Sequence, residues 1–223
     1  MTGSLIRKTE RPPVAQTDAA GASLLAREFF NRDPREVGRE LLGKIIVRTA
    51  GRKLLAGRIV EVEAYLGAGD AAAHAAAGLT PRNHVLFGPP GHAYVYFIYG
   101  VHYCLNISCM PHGEAGCVLI RALEPLTGIA EMARARDLDS LDPASVRDLR
   151  KLLSGPGKLC QALGITRPRD NDKDMLAPQS DLQVRDDGTH PVEILITPRI
   201  GITKSAEMPL RYVIEGNPFV SGK

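Results

Sequence analysis

Three strand-like runs follow one another in the middle of this 223-residue chain, His92–Tyr99, Tyr103–Ser108 and Cys117–Glu124. GVH makes the first turn and MPHGEAG the second. Parallel neighbours need a crossover of a dozen residues or more, and neither turn is that long. The three runs therefore predict an antiparallel meander, and the rest of the fold has to accommodate it. Upstream, the β-branched run Lys44–Thr49 turns at Gly51 into a longer strand, Lys53 to Tyr65. Downstream, Val192–Thr197 and Leu210–Ile214 read as closing strands. Helical patterning begins at Leu24, with Phe29 and Phe30 clustered. It restarts with Asp33 as cap, Pro34 in the first position and Glu36 three residues after the cap, and stops at Gly43. Further helices are expected over Thr127–Arg136, after an Asp142 cap with Pro143, and over Lys158–Leu163 between SGPG and Gly164. Strands and helices do not alternate, which points to a single mixed α+β domain rather than a doubly wound sheet.

Residues 1–22 carry Pro, Thr, Ala and charge without periodicity and read as a mobile arm, leaving 23–223 as the folded domain. Residues 166–191 read as polar loop. No apolar run approaches the roughly 18 residues of a membrane span, and the N-terminus shows no apolar signal core. The four cysteines are then best read as reduced thiols of a cytoplasmic protein. A formal charge of +3 permits a nucleic-acid partner without requiring one.

Alternation over Lys53–Tyr65 puts Leu54, Ala56, Val60, Val62 and Ala64 on one face and Glu61, Glu63 and Tyr65 on the other. Two carboxylates on one strand face are either solvated or part of a site. The second reading gains from position, because the strand runs into the Gly-, Ala- and Pro-rich stretch 66–91. The run HAYVYFIYGVHY holds four of the six tyrosines. Strand propensity accounts for most of them. Tyr99, at the turn with Gly100, instead suits a stacking wedge. SGPGKLCQALG opens a helix with glycines and Lys158, a weak phosphate signal. Histidines and cysteines lack zinc-ligand spacing, so no metal and no cofactor are expected. No lysine occurs between Lys53 and Lys151, so this region offers no Schiff-base nucleophile.

The ordered set Glu61-Val-Glu-Ala-Tyr-Leu-Gly67, Asp70, Ala73-His74, Thr80-Pro-Arg-Asn83, Tyr94-Val-Tyr96, Ile98-Tyr-Gly100, Asn106-Ile-Ser108, Val118 to Pro125, Ser154 to Leu163, Pro209 to Tyr212 and Gly216 to Ser221 resembles the 3-methyladenine (alkyladenine) DNA glycosylase family. The resemblance covers about residue 25 to the C-terminus. It implies a curved antiparallel sheet with surrounding helices and a β-hairpin that enters the DNA minor groove. It also implies a metal-free monomer that flips damaged purines out of double-stranded DNA and hydrolyses the N-glycosidic bond. By the resemblance, Glu63 is the general base and Arg121 its polar partner near the water. Tyr65, His74 and Tyr96 wall the base pocket, and Asn106 obstructs guanine's amino group. Tyr99 fills the gap left by the flipped nucleotide, while Arg82, Gly157 and Lys158 meet the DNA backbone. The chain departs from the family in having Ala206-Glu207-Met208 and no Trp before Pro209-Leu210-Arg211, and in a short loop between His74 and Thr80. Two other readings stay open on the residues alone. One is a carbohydrate glycoside hydrolase using Glu61 and Glu63, about 7 Å apart by strand geometry. The other is a nucleic-acid-binding module that cuts nothing.

Overall fold

Strand-forming runs set the architecture. The computed structural model describes residues 19, 21–191 and 193–222, so nearly all of the expected N-terminal arm, Val192 and Lys223 lie outside the described residues. In chain order the elements are β1 (Ser23–Leu24), α1 (Arg27–Phe30), α2 (Pro34–Leu41), β2 (Ile45–Ala50), β3 (Lys53–Tyr65), β4 (Ala93–Ile98), β5 (His102–Cys109) and β6 (Gly116–Thr127). There follow α3 (Ile129–Ala135), α4 (Val146–Leu153), α5 (Pro156–Ala162), α6 (Arg167–Asp170), β7 (Leu182–Asp186), β8 (Ile194–Thr197) and β9 (Arg211–Ile214). The meander β4-β5-β6 forms as its turns require.

The strands make one antiparallel sheet in the order β1-β7-β2-β3-β6-β5-β4. β3 is its axis. One edge pairs with β6 along most of its length. The other pairs with β2 over Lys53–Arg58 and then with β9 over Glu61–Glu63. The β3–β6 ladder shifts register on both sides of Glu61. Such an irregularity re-aims side chains locally. β3 is buried from Ile59 to Ala64 on both faces, so its polar face is not a solvated one. One face packs with α2, α4 and α5 into the main core, which includes Val62, Ile120, Leu152, Leu159 and Tyr212.

Local chemistry explains the helix ends. Asp33 caps α2 by accepting from Arg35 N, with Pro34 in the first position. α4 starts later than expected. Ser145 caps it by accepting from Asp148 N at 3.3 Å, whereas Asp142 caps no helix and accepts from Ala144 N in the turn before it. Val146 is consequently exposed, and the buried face is Leu149, Leu152 and Leu153. At Leu24, the first residues pair as β1 with β7, and the helix is only the single turn α1. Over Thr127–Arg136, β6 continues to Thr127, and Gly128 at φ +82° separates it from α3. Residues 166–191 are not all loop, because they hold α6 and β7. What draws this polar segment to the sheet is Arg48 of β2, fully buried and paired with Asp170 at 2.8 Å and Asp181 at 3.1 Å. Lys173 also pairs with Asp170, at 2.7 Å.

The chain leaves β3 through Gly67, at φ +79°, where a Cβ would collide with the Ala115 carbonyl. Gly67→Ala is therefore expected to lose about 3 kcal/mol. Gly51→Ala, at φ +63° with open space around it, should lose only about 1 kcal/mol from backbone strain. Urea unfolding midpoints at unchanged slope check the contrast, and equal losses would refute the steric account.

Candidate active site

Position on β3 gives its two carboxylates different fates. Glu61 Oε1 accepts from Arg121 Nε at 2.9 Å, Arg211 Nε at 2.7 Å and Ser221 Oγ at 2.9 Å, and Oε2 accepts from Ser221 N. Its capacity is filled by internal donors. Glu63 is equally buried but less committed. Oε1 accepts from Ile200 N at 2.8 Å and lies 3.1 Å from an Arg121 terminal nitrogen, while Oε2 accepts from the Tyr65 hydroxyl at 3.0 Å. Arg121 thus bridges the two carboxylates. Burial pushes the Glu63 carboxyl above its ordinary pKa, against the pull of Arg121, the Ile200 N–H and the Tyr65 hydroxyl.

Glu63 and Arg121 border a chamber of about 240 Å³ that reaches Tyr99, His102 and Gly157. Beyond Tyr65 and Tyr96 lies a second cavity of about 130 Å³, lined by His74, Tyr94, Asn106 and Cys117. The two share Tyr65, Tyr96, Ile98 and Ile202 as walls. Their volume, flat walls and few polar groups suit one planar ligand held next to a carboxylate.

Each wall is fixed. His74 Nδ1 lies 2.8 Å from the Tyr94 hydroxyl, and its ring meets Tyr96 edge-on with centroids 4.5 Å apart. Burial, and then the nearby Arg82 charge, lower the His74 pKa, so the imidazole is neutral at pH 7. Burial raises the phenols of Tyr65 and Tyr96 far above their ordinary range, and pushes Tyr94 up to about 12. Asn106 Nδ2 donates to the Tyr94 carbonyl at 3.1 Å, which sets the amide's orientation.

At the hairpin tip, Val101 N donates to Ile98 O at 3.3 Å, with Tyr99 at φ +54° and Gly100 at φ +70°. Tyr99 is 80% exposed in a backbone region that aromatic residues rarely occupy, the kind of strain found at functional sites. Gly157 lets α5 approach the hairpin beside its turn, since a Cβ there would stand 2.9 Å from the His102 ring. Lys158 is exposed, and burial with the neighbouring Arg136 and Arg150 lowers its pKa. Arg82 is exposed on the 80s loop.

Of the residues singled out in the sequence, Glu63, Tyr99, Arg121 and Gly157 border the chamber, His74 and Asn106 the second cavity, and Tyr65 and Tyr96 both, while Arg82 and Lys158 lie at the surface. Sequence reasoning missed Ile200, Gly201 and Ile202, which close the chamber, and Tyr94 as the partner of His74. It also missed Ser221 and Arg211 as the groups that occupy Glu61. Only the Pro-Arg-Ile-Gly run after β8 hinted at an ordered loop. Among the described residues, no group of three or more His, Cys, Asp or Glu side chains is arranged to hold a metal ion. All four cysteines are buried and unpaired. No helix among the described residues is long and apolar enough to cross a membrane.

Comparison with known proteins gives a consistent result. The model of the family described as "Methylpurine-DNA glycosylase (MPG)" matches residues 28–218. A Koribacter versatilis protein named "Putative 3-methyladenine DNA glycosylase" is 64% identical over 199 residues, 89% of this chain and 93% of the relative. Proteins of the same name are 47% identical in Burkholderia cenocepacia, over 90% of this chain and 92% of the relative, and 46% identical in Rhodopseudomonas palustris, over 96% of both chains.

A buried carboxylate with a raised pKa weakens the fold when ionised. Glu63→Gln keeps the shape and removes the charge, so it should stabilise the protein by about 1 kcal/mol at pH 8. The folded pKa of Glu63 lies above its unfolded value. The gain is therefore full above the folded pKa and shrinks as pH falls toward the unfolded value, near 4.3. Denaturation at pH 8 and pH 5 measures it, and a gain that grew on acidification would contradict the burial argument.

Proposed function

The chain belongs to the methylpurine-DNA glycosylase family, and from that premise we propose that it excises alkylated purines from double-stranded DNA by hydrolysing the N-glycosidic bond. The reaction begins base-excision repair. The lesion class is 3-methyladenine, with hypoxanthine and etheno-adenine as further candidates, and the enzyme acts as a cytoplasmic monomer.

One observation carries this reading: Glu63, buried with a raised pKa and bordering a chamber that shares the walls Tyr65 and Tyr96 with an aromatic pocket. A carboxylate whose pKa is raised by burial is a better proton acceptor than an ordinary one. In the proposed reaction the damaged nucleotide rotates out of the duplex and its base enters the pocket. Tyr65 and Tyr96 present π faces to it, and the neutral His74 adds no charge to repel a cationic purine. Asn106 blocks the exocyclic amino group that guanine carries. Water on Glu63 attacks C1′ as the bond to the base breaks through an oxocarbenium-like state. The proton passes to Glu63. A 3-methylated adenine starts as a cation and leaves neutral, so it requires no proton donor. A neutral base such as hypoxanthine needs a hydrogen bond or proton in addition.

Arg121 holds Glu63 and Glu61 in register, and the absence of lysine from 54–150 leaves water as the attacker. The product is then an intact abasic strand. Tyr99 enters the stack in place of the flipped nucleotide, and Arg82, Gly157 and Lys158 lie along the phosphate backbone. The engagement of Glu61 by four internal donor groups disfavours a carbohydrate hydrolase that would need it as a second free carboxylate.

Glu63→Gln should lower single-turnover excision of 3-methyladenine about 10²–10⁴-fold while lesion-DNA binding is kept. Excision within a few-fold of wild type would remove Glu63 as the base and revive a purely binding role. Tyr99→Ser should lose stacking worth roughly 1–3 kcal/mol, slowing excision by one to two orders of magnitude with little change in stability. Mispaired or single-stranded lesions should suffer least. A variant that melts early yet excises normally per folded molecule would make Tyr99 a structural residue.

A further inference from the structure

The loop after β8 contains a buried cation that the reaction above leaves unused. The Arg199 side chain is wholly shielded from water and pairs with Asp70 through both terminal nitrogens, at 2.6 and 2.7 Å. It also donates to the Ala64 carbonyl at 3.0 Å, and its guanidinium carbon lies 4.5 Å from the centre of the Tyr65 ring. Asp70 accepts in turn from the N–H groups of Leu66 and Ala72, in the turn that leaves β3. Buried ion pairs of this kind are weak evidence for added stability, because desolvation offsets most of their attraction. What the pair positions is therefore informative. The next residue, Ile200, donates its N–H to Glu63 Oε1 at 2.8 Å, and Ile200, Gly201 and Ile202 close the chamber.

We propose that Arg199, clamped by Asp70, is a positioning residue that holds the Ile200 N–H on Glu63 and thereby sets the basicity of the carboxylate that activates water. The inference rests on Glu63 being the base. Several groups face Glu63: Tyr65 and Glu61 from β3, Arg121 from β6, Cys104 from β5, and Ile200 with Arg199 from the loop. Burial raises the Glu63 pKa, and Glu61 adds to the rise. Arg121, the Ile200 N–H and the Tyr65 hydroxyl lower it. A loosened loop weakens one of these three opposing contacts, so the carboxyl protonates at a higher pH. A base must be ionised to act, and the acid limb of the rate profile then moves upward.

The test is single-turnover excision, with enzyme in excess, on duplex DNA methylated to carry 3-methyladenine, across a pH series. The cationic base leaves without a proton donor, so the acid limb reports the base alone. Arg199→Lys keeps the charge and loses the two-pronged grip. Asp70→Glu keeps the anion that balances Arg199 and disturbs the same clamp from the other side. Each is expected to raise the midpoint of the acid limb by about one pH unit, on the scale of one hydrogen bond to a charged group. The midpoint does not depend on how much of a variant is folded, provided that fraction is constant over the series. A purely structural role would lower the amplitude and leave the midpoint in place. An unchanged midpoint in either variant that folds, with Glu63→Gln inactive, overturns the proposal and leaves the base assignment standing. An active Glu63→Gln overturns the base assignment itself, and this inference with it.

Discussion

Two carboxylates on one strand, both wholly buried, are the constraint around which the structure is arranged. Taking a charged carboxylate out of water costs several kcal/mol unless donors replace the hydration, and a like charge on the same face adds to the cost. The fold meets this with groups from distant parts of the chain. Arg121 comes across from β6, Arg211 from β9, Ser221 from the C-terminal segment and Ile200 from the loop after β8. The register shifts of the β3–β6 ladder beside Glu61 fall where these groups converge. The C-terminal segment is held at the same point, with Ser154 Oγ donating to the Phe219 carbonyl and Ser221 meeting Glu61. Removing any of these partners leaves charge uncompensated, which ties the closing strands to the site as firmly as hydrophobic packing does.

Local signals in the sequence are legible where local physics decides the outcome. The meander, the Asp33–Pro34 start of α2, the β2–β3 hairpin at Gly51 and the exposed Tyr99 turn all follow from turn length, capping and glycine placement. The errors come from non-local pairing. β7 has the unremarkable sequence LQVRD, and it is a strand because β2 lies beside it and Arg48 draws Asp170 and Asp181 to the sheet. Asp142-Pro143 resembles a helix start as well as Ser145 does, and the turn formed by Asp142 settled the choice. Strand alternation brought Glu61 and Glu63 together correctly, but the register shifts beside Glu61 split the apolar face it predicts. Val62 and Ala64 join Leu55 and Ile59 in the main core, while Leu54 and Ala56 pack in a second cluster and Val60 against Ala122 and Phe219. Alternation does not encode the cover that β9 and the 199–202 loop give the two carboxylates, so on its own it fits a solvated face equally well.

Family motifs pointed to most of the residues that line the site and, by resemblance, to Glu63 rather than Glu61 as the base, but not to the physical reason for that division of labour. That division is set by unequal hydrogen bonding, which motif spacing does not encode. Glu61 is surrounded by donors from three other segments and has become a structural anchor. Glu63 has fewer donors and an open chamber beside it. The departure near the C-terminus, Ala206-Glu207-Met208 in place of a Trp-containing segment, lies in the loop between Arg199 and β9. Met208 packs partly buried against the main core there, and Ser205 Oγ accepts from Ala71 N at 3.2 Å.

The placement of charge follows a single logic on the proposed reading. The aromatic cavity holds no ionised group, because burial keeps His74 neutral and the three phenols protonated. A purine that enters as a cation meets π faces there rather than a competing positive charge. Toward the sugar the balance reverses. Glu63 stands at the chamber wall, where positive character develops only as the bond breaks, and a preorganised anion stabilises that state more than the intact nucleotide. Arg121 would cancel the advantage if it paired with Glu63 alone. Its second contact, with Glu61, divides its charge between two carboxylates, and although Arg211 balances the pair overall, Glu63 Oε2 accepts, among the described residues, only from the Tyr65 hydroxyl. Glu61 therefore contributes to the proposed chemistry without touching the substrate, by keeping its neighbour only partly neutralised.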